Sequence, residues 1–135
     1  MKNISDSAID TIVCNFAKAP SPNSYLIFVQ LGGAIKQISY DSTAYTHRDA
    51  LFDLIIGSAC LNNLTSFDHI DWTQRFSDAM QPFSTGGVYV NDLGNEGEAR
   101  IKAAYGLNYK KLAILKKQYD PSNLFRLNQN IPPNR

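Results

Sequence analysis

Apolar residues near the start of the chain recur with the period of a helix. Within residues 4–17 they follow the spacing i, i+3, i+4, i+7 and i+8, which is typical of one helix face. These positions are Ile9, Ile12, Val13, Phe16 and Ala17. Pro20 and Pro22 then end the pattern, because proline lacks the amide donor and fixes φ. We therefore predict an amphipathic helix over residues 4–17.

Three later stretches predict strands. In residues 24–31 the side chains that would point to either face of a strand are apolar, except that of Gln30. This pattern predicts a central strand covered on both faces. Residues 51–60 also alternate, and Gly57 disfavours a helix interior there. Residues 88–91 predict a short strand with Tyr89 and Asn91 on the same face.

Three further helices are predicted. The first runs from Asp68, its expected cap, to Met80. The second spans residues 98–105 and ends at Gly106, and Asn108 caps the third, which is rich in lysine. The expected core positions are Ile70, Trp72, Phe76 and Met80 in the first helix and Leu112, Leu115 and Tyr119 in the third. This order of elements indicates an α+β fold, a mostly antiparallel sheet packed with helices.

Composition limits the class of protein. A chain of 135 residues with 44% hydrophobic content suits one domain over residues 1–135. No apolar run approaches the ~20 residues that cross a bilayer, and the start lacks a signal-peptide pattern, so a cytoplasmic protein is expected. Cys14 and Cys60 match no metal or redox spacing, and we expect two buried thiols.

Charge is distributed unevenly along the chain. Residues 100–135 carry eight Lys or Arg and one acid, hence +7, against −6 for the remainder. Such a tail can bind nucleic acid, but it can equally be a solvated helix face or a wall near a phosphorylated cofactor. Nucleic acid is the least favoured of these, because the few tyrosines in the basic run have packing explanations.

The sequence contains no glycine loop of phosphate-binding type, no zinc-ligand set and no visible Ser/His/Asp spacing, so a self-contained enzyme is poorly supported. Several polar groups are nevertheless candidates for binding. The adjacent His47 and Arg48 can bind an anion or a carboxylate, or can be structural. The three amides of residues 128–130 can bond a ligand, or can bond backbone near the end of the chain.

Two motifs carry a resemblance to a known family. They are Tyr-x-Asn in residues 89–91 and the run Tyr-Asp-Pro-Ser-Asn-Leu-Phe-Arg-Leu-Asn-Gln-Asn-Ile in residues 119–131. Both resemble the C-terminal berberine-bridge-enzyme-like (BBE) segment of FAD-linked oxidases. A Gly-Gly-Ala turn at residues 32–34, followed by Thr-Ala-Tyr-Thr-His-Arg at residues 43–48, also resembles that family. The resemblance assigns residues 86–133 to the BBE-like segment and residues 24–92 to part of the substrate-domain sheet and helix.

The resemblance also implies roles for individual residues. FAD is the implied cofactor, and the implied cofactor-binding residues are Tyr89, Asn91, Asn128 and Asn130. Gln30, His47 and Arg48 are also expected to face substrate, and no metal site is expected. Many family members place a tyrosine that helps to deprotonate substrate where this chain has Asp92. An aspartate with an ordinary pKa of ~3.9 is a weak base unless burial raises that pKa, so Asp92 is only a weak catalytic candidate.

In the family this segment is the last third of a longer protein, and an FAD-binding domain precedes it. We therefore expect a substrate-side or cap part that is inactive alone and retains no FAD. Its expected partner is a second copy of the chain or a separate flavin-binding domain, not nucleic acid or a membrane. A small non-catalytic interaction domain that kept the fold is the alternative. We also expect Leu124, Phe125, Leu127 and Ile131 to pack against the sheet near Tyr89 and Asn91.

Overall fold

The computed structural model describes residues 1–60, 66–94 and 97–134. Its helices are α1 (Asp6–Phe16), α2 (Ala34–Gln37), α3 (Ser66–Met80), α4 (Glu98–Tyr105) and α5 (Tyr109–Tyr119). Its strands are β1 (Ser24–Gln30) and β2 (Phe52–Ser58), and short 3-10 turns span Gln81–Phe83, Val90–Asp92 and Gly106–Asn108. The two strands are antiparallel. The predicted α+β class is confirmed.

The chain groups into two compact units. The first contains Met1–Leu31 and Ala50–Thr85, and the second contains Gly32–Asp49 together with the chain from Gly86 onward. Each unit is therefore described by itself. The assignment of residues 1–135 to one domain stays a prediction.

In the first unit, α3 packs on β2 of the sheet and α1 packs on α3. Ala8 and Phe76 are fully buried, and Trp72 packs edge-on against Phe76, with ring centroids 5.5 Å apart. The indole Nε1 of Trp72 donates a 3.0 Å hydrogen bond to the carbonyl oxygen of Asn15, which ties α3 to α1. Four sheet residues pack on this core: Leu26, Phe52, Leu54 and Ile56.

The predicted helices and strands of this unit are confirmed, but three predictions about their details are wrong. Helix α3 begins at Ser66, so Asp68 lies in the first turn rather than at the cap. In α1 the residue that is buried is Ala8, whereas Ile9 and Val13 of the predicted face are 46% and 61% exposed. In α3, Ile70 is 52% exposed, although Trp72, Phe76 and Met80 are buried as predicted. Ala8 lies in the same buried cluster as Trp72 and Phe76 of α3.

Strand β1 is not covered on both faces as predicted. Leu26 packs on the core, but Tyr25, Ile27 and Val29, on the opposite face, are 39–46% exposed. Gln30 ends the strand opposite Phe52 and is exposed. The expectation of two buried thiols is also wrong, because Cys14 is exposed.

The second unit is held together by side chains that bond to loop backbone. Asn108 is buried and donates from Nδ2 to the carbonyl oxygens of Tyr40 (2.7 Å) and Thr43 (3.0 Å). Its side chain therefore does not cap α5 as predicted. Helix α5 buries Ala113, while Leu115 and Tyr119 are exposed, so the predicted core face of this helix is wrong as well.

Candidate functional site

The segment that carries the Tyr-x-Asn motif is a turn and not the predicted strand. Val90–Asp92 forms a single 3-10 turn, in which the amide of Asp92 donates to the carbonyl oxygen of Tyr89 at 3.0 Å. Asn91 and Asp92 are residues that favour turns, and a run of four alternating residues is too short to impose a strand against them. The prediction of a strand over residues 88–91 is wrong.

Tyr89 and Asn91 nevertheless come together. The side-chain amide of Asn91 donates a 2.8 Å hydrogen bond to the hydroxyl oxygen of Tyr89. Both residues are exposed, and Tyr89 keeps 42% of its surface accessible. Because the hydroxyl oxygen accepts in this bond, its own proton remains available for donation to another group.

Tyr45 connects this pair to the His-Arg motif. Its ring packs edge-on against Tyr89, with centroids 6.1 Å apart, and against His47, with centroids 6.0 Å apart. The guanidinium carbon of Arg48 lies 4.9 Å from the centroid of the same ring. Sequence reasoning assigned Tyr45 no role, although it is the aromatic residue of the Thr-Ala-aromatic-x-His-Arg motif.

His47 lies between two backbone segments. Its Nε2 is 2.9 Å from the carbonyl oxygen of Ala103 and 3.1 Å from that of Ala104, at the end of α4. Since both partners are acceptors, Nε2 carries the proton. A methyl group added at Gly87 would lie 2.5 Å from Nδ1, so the ring also packs closely on the backbone there. One ring nitrogen of His47 is therefore committed to the fold.

Arg48 holds the loop that precedes it. Its Nη1 donates to the carbonyl oxygen of Ile35 at 3.2 Å, and its Nη2 donates to the hydroxyl of Thr43. The Nε atom is buried and has no hydrogen-bond partner within the described ranges. Two of the three guanidinium nitrogens thus fix residues 35–48.

Asp120 fixes the direction of the C-terminal tail. Its carboxylate accepts from the amides of Leu124 (2.8 Å) and Phe125 (3.0 Å) and pairs with Lys116 in α5. The bond from Lys116 and these two amides hold the pKa of the Asp120 carboxyl below its ordinary value. Lys116 also donates to the carbonyl oxygen of Phe125. Both Asp120 and Lys116 therefore bond to the backbone of the tail.

The three amide side chains of residues 128–130, predicted as a cluster, lie in different environments. Gln129 donates from Nε2 to the carbonyl oxygens of Leu93 (2.7 Å) and Gly94 (3.1 Å), immediately after the Val90–Asp92 turn. Asn128 is exposed and adopts a left-handed φ of 59°. The side-chain oxygen of Asn130 is buried and has no hydrogen-bond partner among the residues that the structure describes. The cluster therefore offers one bonded amide, one exposed amide and one buried, unsatisfied acceptor.

Three of the four apolar tail residues do not pack inward as predicted, whereas Ile131 is half-buried. Leu124, Phe125 and Leu127 are 72%, 80% and 86% exposed. Polar contacts of Asp120, Lys116 and Gln129 hold the tail instead. The side chains of Leu124, Phe125 and Leu127 are thus exposed on a segment that is held by hydrogen bonds.

Asp92 is exposed in the Val90–Asp92 turn. Two negative observations complete the geometry. Over residues 1–60, 66–94 and 97–134, no group of three or more His, Cys, Asp or Glu could hold a metal ion. In the same ranges, no helix has the length and apolar character needed to span a membrane.

Comparison with known proteins gives a consistent result. The family described as "Berberine and berberine like" matches residues 88–132. The FAD-linked oxidoreductases YgaK and YvdP of Bacillus subtilis are 35% and 32% identical to the chain and match 99% and 97% of it. The wild-type BBE-like 1 protein of Physcomitrella patens has a similar structure, with a TM-score of 0.88 at 25% identity over 97% of the chain.

The chain spans only part of each of these proteins, namely 30% of YgaK, 29% of YvdP and 28% of the Physcomitrella structure. The family predicted from the two motifs is confirmed. The chain matches the berberine-bridge-enzyme-like family in its C-terminal part and is similar over nearly all of its length to FAD-linked oxidoreductases.

Proposed function

We propose that the chain forms the substrate-side part of an FAD-dependent oxidoreductase, with the Val90–Asp92 turn and residues 128–130 lying against the flavin. The observation that carries this proposal is the buried, unpartnered side-chain oxygen of Asn130. An unsatisfied buried acceptor is costly, and a ligand N–H is one group that could satisfy it. The isoalloxazine ring of FAD has such an N–H, so the residues present fit this cofactor.

The positions of the other candidates support the same assignment. Gln129 bonds to Leu93 and Gly94, so the tail that contains Asn130 is attached directly to the turn that carries Asn91. The Tyr89 hydroxyl accepts from Asn91 and can donate its own proton to an oxygen of the flavin or of a substrate. When bound, FAD would accept a hydride from the substrate. The residues of this chain would bind and orient the reacting groups.

The substrate-facing candidates have unequal support. His47 and Arg48 hold backbone, so we propose that they act by shaping the loop and by supporting the Tyr45 ring beneath Tyr89. Gln30 retains an exposed amide at the end of β1 and is proposed only as a substrate contact. Asp92 lies in the same turn as Asn91 and is kept as a weak candidate for the general base.

We further propose that a flavin-binding domain covers the exposed apolar tail. Leu124, Phe125 and Leu127 lie within four positions, and all are more than 70% exposed. Contiguous exposed apolar side chains on an ordered segment are typical of an interaction surface. The relatives are more than three times as long as the chain, which leaves room for such a domain. The chain alone is then expected to retain no FAD and to be inactive.

A chimera tests the role of Asn130. This chain replaces the matching segment of YgaK, and Asn130→Leu is compared with Asn134→Leu, a substitution at an exposed asparagine of the same tail. If Asn130 accepts from the flavin, Asn130→Leu weakens FAD retention about tenfold. In the isolated chain the same substitution leaves the melting temperature unchanged or raised, because an unsatisfied polar atom is removed. Equal FAD retention by both variants would contradict the proposal.

The alternative is a non-catalytic interaction domain, and the exposed apolar tail is the observation that favours it. In that case the isolated chain would form a homodimer through the tail, and the chimera would not retain flavin. Light scattering of the isolated chain, compared with Phe125→Ser, distinguishes the two. A monomer mass in both samples argues against self-association.

A further inference from the structure

Gln129 makes the contact that joins the tail to the Tyr89–Asn91 segment. Its Nε2 has two hydrogens, and both are directed to backbone oxygens, those of Leu93 at 2.7 Å and Gly94 at 3.1 Å. Leu93 is 8% exposed, so the first of these oxygens belongs to a buried residue. A side-chain amide that satisfies two consecutive carbonyls fixes the backbone on which they lie.

The turn contains two backbone hydrogen bonds of its own. The amide of Asp92 bonds to the carbonyl oxygen of Tyr89 at 3.0 Å, but the amide of Leu93 reaches that of Val90 only at 3.4 Å. The bond between Asn91 and Tyr89 is exposed, and exposed neutral hydrogen bonds contribute little to stability. A 2.7 Å bond to this segment comes from the tail, 36 residues away.

The backbone conformation of the tail places the Gln129 side chain at this segment. Asn123 and Asn128 adopt left-handed φ values of 53° and 59°, a conformation that asparagine tolerates better than most residues. Asp120 fixes the chain between them by accepting from the amides of Leu124 and Phe125. The amide of Asn130 bonds back to the carbonyl oxygen of Asn128 at 2.9 Å, which closes a tight turn around Gln129.

We infer that Gln129 is a positioning residue: its amide holds the Leu93–Gly94 backbone and thereby sets the orientation of the Tyr89–Asn91 pair. Both N–H groups of Gln129 are engaged by these carbonyls and are therefore not available to a ligand. The benefit to catalysis rests on the proposed function. The clamp itself is a property of this chain and exists without flavin.

The first test uses the isolated chain without flavin. Gln129→Glu keeps the size and shape of the side chain but replaces the two donors with a carboxylate that faces two carbonyl oxygens. Gln118→Glu, at an exposed glutamine in α5, is the matched control. Amide hydrogen exchange at Asp92 and Leu93 is expected to accelerate about two- to tenfold in Gln129→Glu only. The NMR signals of the Tyr89 ring are expected to shift in the same variant.

A simple loss of stability gives a different result. Exchange would then accelerate equally throughout the chain, including the amide of the fully buried Phe76 in the first unit. That outcome, or unchanged exchange at Asp92 and Leu93, overturns the inference. Gln129→Ala provides a second variant with no added charge and is expected to give the same local pattern.

The second test uses the YgaK chimera. Gln129→Glu is expected to retain FAD but to lower the rate of flavin reduction by substrate at least about fivefold, because Tyr89 and Asn91 are misplaced. An unchanged rate with altered exchange overturns the catalytic part of the inference. If Asn130→Leu retains FAD normally while the exchange result holds, the proposed function fails and the clamp stands, so the two failures are distinguishable.

Discussion

Asn91 donates its side-chain amide to the hydroxyl oxygen of Tyr89 across 2.8 Å, within a turn whose two side chains are both exposed. This pairing orients the Tyr89 hydroxyl without burying it. The Tyr45 ring, 6.1 Å from that of Tyr89, supports it from one side. A tyrosine held in this way is suited to meet a ligand and contributes little to the core.

Removing the Tyr89 hydroxyl should therefore cost little stability. Tyr89→Phe is expected to shift the melting temperature by less than about 2 °C, because the lost bond is exposed. Tyr25→Phe, at another exposed tyrosine, is the control. A fall of several degrees in Tyr89→Phe alone would mean that the hydroxyl is a structural group.

Gly87 should be intolerant of any side chain. A methyl group there would lie 2.5 Å from Nδ1 of His47, whose Nε2 is bonded to the carbonyls of Ala103 and Ala104. Gly87→Ala is expected to displace the ring, break these bonds and cost about 1–3 kcal/mol in the free energy of unfolding.

Gly94→Ala is the matched control, since a methyl group at Gly94 meets nothing within 4 Å. Urea unfolding measures both variants. Equal stability of the two would show that His47 is not packed on Gly87 as described.

Phe76 should dominate the stability of the first unit. It is fully buried between α3 and the sheet, and Phe76→Ala is expected to cost about 3–5 kcal/mol. Phe67→Ala removes the same side chain from the same helix, where it is 81% exposed, and is expected to change stability by less than about 0.5 kcal/mol. Thermal unfolding measures both, and a small effect at Phe76 would place the core elsewhere.

Asp120 should make the tail sensitive to acid. Its pKa in the folded chain lies below the ordinary 3.8, first because Lys116 bonds to it and then because the amides of Leu124 and Phe125 donate to it. A carboxyl with a lowered folded pKa contributes stability above its unfolded pKa and loses that contribution as the pH falls through the folded value. The parent should therefore exceed Asp120→Asn in stability at neutral pH, and the difference should shrink below about pH 4.

Asp71→Asn is the control, because the Asp71–Arg75 pair is exposed and such pairs contribute little. Urea unfolding between about pH 3 and 7 measures the difference. A difference between parent and Asp120→Asn that is independent of pH over this range would contradict the assignment.

Local patterns predicted most of the secondary structure. The helices at residues 6–16 and 98–105 and the strands at 24–30 and 52–58 follow from apolar periodicity, proline and glycine, which act within a few residues. The same patterns could not predict which face of each helix or strand is buried. Residues 24–31 are apolar on both sides, and the sequence does not say which side meets a neighbour. The exposed side chains of Tyr25, Ile27 and Val29 show the consequence.

The candidate site was predictable where a motif carried it. Tyr89 and Asn91 were expected on one face, and they are hydrogen-bonded, although in a turn rather than in a strand. The contacts of Tyr45 and Gln129 were not predicted, because each residue contacts a segment far away in the sequence. Such long-range contacts depend on how the tail and loop fold back, which periodicity does not encode.

The most direct test of the central claim is the visible absorption spectrum of the YgaK chimera. The isolated chain is expected to purify colourless, whereas the chimera, in which this chain replaces the matching 30% of YgaK, should retain FAD and be yellow. Asn134→Leu should leave the flavin content unchanged, and Asn130→Leu should lower it. A folded but colourless chimera would contradict the account that this chain lies against the flavin.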